Sequence, residues 1–285
     1  MDSNIKDLIK WLADDLYRSV PGNIISEETA IDASAIGLKM YDAPVAGFGA
    51  ADDPLFKEYK DPKAVGPWHM APEEWLPGAK TVISLFFPAS EAVRAANRVQ
   101  KEWAAPGWLH ARVEGQNWIT LYMKTFRERL EEIGAAACVP MQDPRWGQIR
   151  KGKGMDAFPG LDDSVFGSSW SERHAAYICG LGTFGLSKGL ITKRGIAGRF
   201  GSLVTDLEIE PDLREYSGVY DWCINCGACI DRCPASAISF EKGKEHSPCM
   251  GLLLESGKRF SPRYGCGLCQ TGVPCETCAP GRSAK

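Results

Sequence analysis

The sequence predicts an α/β domain followed by a small cysteine-rich unit, and three observations predict it. Helical and strand-like stretches alternate as far as Glu210, and nine of the eleven cysteines lie beyond Asp212. The composition, 44% hydrophobic and 24% charged over 285 residues, is that of a folded globular chain long enough for one large domain and an appendage. The boundary is expected near Asp212, where strand-like text gives way to cysteine spacing. This divides the chain into 1–211 and 212–285.

Residues 3–18 open the α/β part as an amphipathic helix, with Ile5, Leu8, Ile9, Leu12 and Leu16 at helical spacing behind a cap at Ser3. From 41 to 78 the text turns to Gly, Pro and aromatics, and a loop so long and bulky is expected to line a site. TVISLFFP (81–88) reads as a buried strand, and the Ala-rich stretch 89–104 as a helix. After Pro106-Gly107, residues 111–133 place Ile119, Tyr122, Met123, Phe126, Leu130 and Ile133 on one helical face, with Gly134 ending the helix. AAACV (135–139) is expected to be a further strand. This order of elements implies an α/β layer. Ser169 and Glu172 have capping-box spacing, so another helix is predicted to start near Trp170 and stop at Gly180. Residues 189–210 read as two strands joined by a basic, Gly-rich turn.

Charge and hydropathy narrow the function. With 33 Lys+Arg against 36 Asp+Glu there is no basic excess to hold a phosphate backbone, which argues against nucleic acid as a partner. No apolar run approaches the roughly 20 residues that span a bilayer, and the start MDSNIKDLIKWLADD lacks signal-peptide and twin-arginine features. A cytoplasmic protein without a membrane partner is expected. In that reducing compartment eleven cysteines point to metal or redox chemistry instead of disulfides.

The strongest motif is Cys223-x-x-Cys226-x-x-Cys229-x-x-x-Cys233-Pro234. Three thiolates at this interval fold around one corner of a [4Fe–4S] cube, and in two-cluster ferredoxins the fourth cysteine serves the other cube. Cys233 would then join Cys249, Cys266 and Cys269 in a second set. Cys275 or Cys278 would close the first. CxxC pairs also occur in zinc ribbons, but a third cysteine at the same interval followed by CxxxCP favours iron–sulfur. Cys138 and Cys179 lie in strand-like and helix-like text and read as buried thiols. Two neighbouring clusters make an electron conduit, and the large preceding domain is expected to hold the acceptor.

The acceptor is not announced by a nucleotide motif. Gly180-Leu181-Gly182-Thr183-Phe184-Gly185 has GxGxxG spacing but stands at the end of a helix, so it reads as a turn. No GxxxxGK[ST] and no Asp-x-His-x-x-Gly is present. SERHAAYICGLGTFGLSKGLIT, GSLVTDLE, CINCGACIDRCPASAI and YGCGLCQ, in that order over 169–275, resemble the epoxyqueuosine reductase and reductive dehalogenase group of cobalamin-dependent iron–sulfur reductases.

The resemblance implies a nitroreductase-like α/β domain that binds base-off cobalamin, joined to a C-terminal ferredoxin-like domain with two [4Fe–4S] clusters. It implies corrin contacts from 171–185 and 189–205, here Ser171, His174, Gly182, Thr183, Phe184, Gly185, Leu190, Thr192, Gly201 and Ser202. Reduced cobalt would carry the hard chemistry, as nucleophile or electron donor. Two departures matter. The family's Asp-Tyr-His element, whose aspartate is its proposed proton donor, is replaced by GWLHARVEGQNW. The family's last ligand follows three residues after the Cys269 position, whereas five intervene here before Cys275. Cys275 is assigned to the first cluster with Cys223, Cys226 and Cys229, leaving Cys278 free.

A reductase needs a proton donor beside its cofactor. Tyr122, His69 and His110 are the candidates, with Glu114 behind them. Tyr122 also suits core packing, and His110 and Glu114 also suit a helix start. Asp52-Asp53-Pro54 reads as a turn. Lys193, Arg194 and Arg199 are exposed hairpin charges unless they meet corrin amides or phosphate, and Arg173 reads as a helix-end hydrogen-bonding residue. The expected function is reduction of a small organic substrate, with electrons from an external low-potential donor of ferredoxin or flavodoxin type. The alternatives are a non-catalytic electron-transfer protein and an activator of another protein's corrinoid.

Overall fold

The computed structural model describes residues 2–150, 152–158 and 165–284. Chain order is α1 (Asp2–Ser19), β1 (Val45–Ala50), α2 (Leu55–Glu58), α3 (Pro72–Trp75), β2 (Thr81–Pro88), α4 (Glu91–Arg98), α5 (Pro106–Glu132) and β3 (Ala137–Cys138). There follow β4 (Gln148–Arg150), β5 (Phe166–Ser168), α6 (Glu172–Ile178), β6 (Gly182–Phe184), β7 (Leu190–Thr192) and β8 (Gly198–Thr205). The cysteine-rich part adds α7 (Ala228–Asp231), β9 (Ile238–Ser239), β10 (Gly243–Lys244) and α8 (His246–Arg259).

The scaffold is a four-stranded antiparallel sheet in the order β1-β2-β8-β3. β2 lies inside it, and all eight of its residues are buried. Because side chains alternate across a strand, Ile83, Leu85 and Phe87 join α1 and α5 in one core, while Val82 and Phe86 join α6 in the other. The fold is thus mixed α/β, with helices on both faces of an antiparallel sheet.

Several elements differ from their sequence reading. α5 begins at Pro106, because proline at a first helical position has no orphaned N–H and starts the helix instead of breaking it. Ile119, Tyr122, Met123, Phe126 and Leu130 are buried along it, but Ile133 at its C-cap is 54% exposed. Gly134 follows with φ of +88°. The helix expected over 89–104 spans only α4, with Ser90 Oγ accepting from the Val93 N–H at 3.3 Å. Ser3 lies within α1 and not at its cap, and the stretch 41–78 contains β1, α2 and α3. The two strands read over 189–210 exist but do not pair: β7 pairs with β6, and β8 with β2 and β3. The capping box does not form either, since Ser171 precedes α6 and Glu172 begins it.

Candidate functional site

The cysteine-rich part packs against the scaffold through its tail. The Ile196 N–H donates to the Cys275 carbonyl at 2.8 Å, and the Ala197 N–H to Glu276 O at 3.4 Å. Gly195, at φ +83°, makes this approach possible, because a Cβ there would stand 2.1 Å from Glu276 O. Glu276 is buried, accepts from the Gly272 N–H at 2.7 Å and pairs with Arg98 at 2.6 Å. The tail is therefore fixed to both the β7–β8 turn and α4.

The thiols fall into two neighbourhoods. Burial, then Cys223, Cys229 and Cys226, push the Cys275 thiol up to about 12. Those four cysteines, with Gly185 and Ile196 among their neighbours, line a common pocket. Cys278 lies outside this lining, exposed, its thiol donating to Pro274 O at 3.4 Å. Cys266 is pushed up to about 12 by burial and by Cys269, Cys249 and Cys233. Cys269 is also raised by burial, with Cys249 and Cys233 beside it. Cys229 also has Cys269 as a charged neighbour, so the two neighbourhoods adjoin.

Local structure fixes the second set. Gly267, at φ +69°, lies under the Trp108 indole, where a Cβ would approach to 2.0 Å. The Asn97 amide donates to Cys266 O at 3.3 Å and to Thr271 Oγ1 at 3.1 Å. The Ala237 N–H donates to Cys233 Sγ at 3.3 Å. Cys266 and Cys269, pressed by burial toward their neutral form with Cys233 and Cys249 beside them, suit a cationic centre that takes such thiols as thiolates. Among the described residues no three His, Cys, Asp or Glu side chains close on a single-ion site. The donor set fits clusters, whose irons spread four thiolates over the corners of a cube. Cys179, by contrast, is buried away from both sets and donates to Val82 O at 3.3 Å, and Cys138 lies near Asp143.

Two of the candidate proton donors, Tyr122 and His110, are built into the packing of the fold. Tyr122 is buried between α1 and α5, and its hydroxyl donates to Ala13 O at 2.6 Å among Phe87, Trp118 and Phe126. It belongs to the core on the far face of the sheet from α6. His110 is buried too, accepting at Nε2 from the Ile31 N–H at 3.1 Å, with Nδ1 at 3.2 Å from Glu114 and from Arg263 Nε. Burial and Arg263 lower its pKa. Its place is a structural joint between α5 and the cysteine-rich part. Glu114 completes that joint, pairing with Arg263 at 2.6 Å.

His69 is different. It is 2% exposed, stacks on Trp170, meets Tyr59 edge-on, and has no hydrogen-bond partner at either ring nitrogen. Burial pushes its pKa down to about 4. His174 lies nearby, with Nδ1 at 2.7 Å from Ser171 Oγ and its ring against Phe184 and Tyr59. Burial lowers His174 to about 3.

The residues expected at the corrin divide in two. His174, Ser171 and Phe184 cluster beside His69, and Gly185 borders the cysteine cavity. The others make contacts within the fold. Gly182 is required because a Cβ would collide with Ile191 O at 1.9 Å. Thr183 Oγ1 accepts from the Trp222 N–H, and Thr192 Oγ1 donates to Gly195 O. Leu190 is core, and Gly201 admits Met123 of α5. Ser202 Oγ accepts from Trp170 Nε1 at 2.9 Å on the α6 face.

Two residues were missed in the sequence. Glu172 is half-buried as a residue, yet both carboxylate oxygens are shut from solvent without a hydrogen-bond partner. Ser202 beside it opposes the shift, but burial raises the carboxyl to about 7. Arg173 has an exposed side chain whose pKa is nonetheless lowered by desolvation, with Arg199, Cys269 and Cys249 around it. Arg173 thus stands at the surface close to β8 and the second cysteine set. Residues 198–200 of β8 are only half-buried while 201–205 are closed. Orphaned groups at His69, Glu172 and Arg199 Nε suit a polar-edged ligand such as a corrin with its carboxamide side chains.

Comparison with known proteins agrees in part. Residues 218–239 match the 4Fe-4S binding domain family. A tetrachloroethene reductive dehalogenase of Desulfitobacterium hafniense is 35% identical over 106 residues, 35% of this chain and 19% of that protein. An epoxyqueuosine reductase of Bacillus cereus is 24% identical over 214 residues, 71% of this chain and 50% of that protein. The chain thus aligns with half or less of the length of these relatives. The structure of a catabolic reductive dehalogenase superposes with a TM-score of 0.50 at 15% identity, covering 84% of this chain and 31% of that one. That likeness is one of fold.

Proposed function

We propose that this chain, a relative of the epoxyqueuosine reductases and reductive dehalogenases with a 4Fe-4S binding segment, is a cytoplasmic oxidoreductase that reduces a small organic substrate. Cys223, Cys226, Cys229 and Cys275 would hold one [4Fe–4S] cluster, and Cys233, Cys249, Cys266 and Cys269 the other. The observation that carries this reading is the separation of eight thiols into two adjoining sets of four, with buried polar groups without partners at His69, Glu172 and Arg199.

The domain of residues 1–211 would supply a nitroreductase-like cobalamin site, with 212–285 as the ferredoxin-like unit. Bound corrinoid would supply a cobalt centre able to accept electrons and attack the substrate. The chain's own residues would do the rest. Adjoining sets at Cys229 and Cys269 favour short electron steps between clusters. His174, Ser171 and Phe184 would border the ring. Glu172, raised by burial to about 7 and so part-protonated at neutral pH, is suited to hold a proton, and His69 to accept a hydrogen bond at an imidazole that stays uncharged. Electrons would come from an external low-potential donor of ferredoxin or flavodoxin type.

The test is anaerobic purification with cobalamin present, followed by iron analysis and absorption spectroscopy. About eight irons per chain and a retained corrinoid spectrum are expected. Iron without any retained corrinoid overturns the cobalamin reading and leaves an electron-transfer protein.

A further inference from the structure

Three arginines from three elements lie close together near the second cysteine set. Arg112 comes from α5, Arg173 from α6 and Arg199 from β8. Arg199 Nη2 donates to the Arg112 carbonyl at 3.3 Å, and the Arg112 guanidinium stacks over the Tyr264 ring at 4.8 Å. Arg112 and Arg173 each have Arg199 as a repelling neighbour, and Arg112 also has Arg173. Among the described residues no carboxylate pairs with any of the three. Arg199 Nε is buried without a hydrogen-bond partner.

Like charges brought together and partly desolvated oppose folding unless a counter-charge joins them. The second cysteine set offers one, since Cys249 and Cys269 are neighbours of Arg173. It does not account for the other two. The charged groups that act most on Arg112 are Arg199 and Arg173, with the Tyr264 and Tyr41 phenols beside it. The wider surroundings are also positive, because Lys188 and Lys244 act with Arg173 on His246 at the start of α8.

We propose that Arg112, Arg173 and Arg199 form a binding site for an oxyanion, a carboxylate or phosphate carried by a molecule that binds beside them. Guanidinium forks match the paired oxygens of such groups. Under the reductase reading, on which the choice of source but not the site itself rests, the anion is either an acidic group on the substrate or the phosphodiester of the corrinoid's nucleotide tail.

The test uses the full chain with its clusters loaded. Phenylglyoxal modification, read by mass spectrometry, should label these arginines, and inorganic phosphate or benzoate should protect them. Calorimetric titration of either anion should weaken by about tenfold in Arg112→Gln, Arg173→Gln and Arg199→Gln, as expected for loss of one charge-assisted hydrogen bond. Cobalamin and cobinamide, which lacks the tail phosphate, separate the sources. A loss of cobalamin binding alone assigns the site to the tail, whereas unchanged binding of both corrinoids with loss of benzoate assigns it to an acidic substrate. Absence of protection by both anions in the wild-type chain overturns the proposal even if no variant folds. So does a shift in the cluster spectra of the variants with anion binding unchanged, because the arginines would then only balance cluster charge. A chain that retains no corrinoid but still shows protected arginines would count against the cobalamin reading and leave the oxyanion site standing.

Discussion

The imidazole of His69 lies flat against the indole of Trp170, with ring centroids 5.8 Å apart and planes 15° apart. Trp170 in turn donates to Ser202 on the α6 face of the sheet, so the histidine is held by the scaffold and not by a loop alone. Burial and the Lys60 ammonium outweigh the nearby Glu74 carboxylate, so the packing disfavours a positive charge on the ring.

His69 should therefore make the fold sensitive to acid. Its pKa is depressed to about 4, while the unfolded imidazole titrates near 6.5. Between those values the unfolded chain binds more protons, so stability falls as pH drops through the window. Replacement by phenylalanine keeps a ring against Trp170 and removes the titration. Denaturation at several pH values should show wild type losing ~2–3 kcal/mol relative to His69→Phe across that range. Parallel curves would show that His69 is not buried neutral.

Glu172 should act in the opposite sense. Its carboxyl is raised from 4.5 to about 7, so between these values the native chain binds more protons and stability falls as pH rises. Glu172→Gln is expected to exceed wild type in stability by ~1–3 kcal/mol above pH 7, with the difference vanishing below 4.5. Infrared spectra near pH 6 should contain a protonated-carboxyl band that the variant lacks. A carboxylate band unchanged from pH 5 to 8 would refute the assignment.

What the sequence disclosed, and what it hid, follows from the range of the forces involved. β2 was legible because burial on both faces leaves no polar residue but Thr and Ser within it. The grouping of Cys223, Cys226 and Cys229 was legible because three ligands of one run are set by local spacing. Tyr122 and His110 were not, because the partners that make them structural, Ala13, Ile31 and Arg263, are remote in the chain. β7 and β8 resembled a hairpin because the Thr192–Gly195 turn is tight, yet the partner that claims β8 is β2. Glu172 resembled a cap because Ser169 stands three residues before it. Only the position of the sheet shows its oxygens turned inward.

The tail makes a sharper prediction. Cys275 is half-buried beside Cys223, Cys226 and Cys229, and its carbonyl is tied to Ile196, whereas Cys278 is exposed and contacts its own segment. Cys275→Ser should lose about half of the bound iron, as expected when one of two four-iron clusters is lost, while Cys278→Ser should keep all of it. Equal losses in the two variants would mean that the segment after Val273 is held differently around the cluster.

Glu276 tests whether that position depends on the scaffold. Its buried carboxylate joins Arg98, Arg94 and the Gly272 N–H, and so fixes the residue next to Cys275 against α4. Arg98 is 40% exposed, so solvent screens part of the attraction, and Glu276→Ala should cost about 2 kcal/mol instead of the larger penalty of a fully buried pair. The more telling readout is iron release to a chelator. If the Glu276 contacts hold Cys275 in place, one cluster should be lost several-fold faster while the set of Cys233, Cys249, Cys266 and Cys269 keeps its own rate. Uniform acceleration of both phases would instead indicate general loosening of the cysteine-rich part, and an unchanged fast phase would show that Ile196 alone positions the ligand.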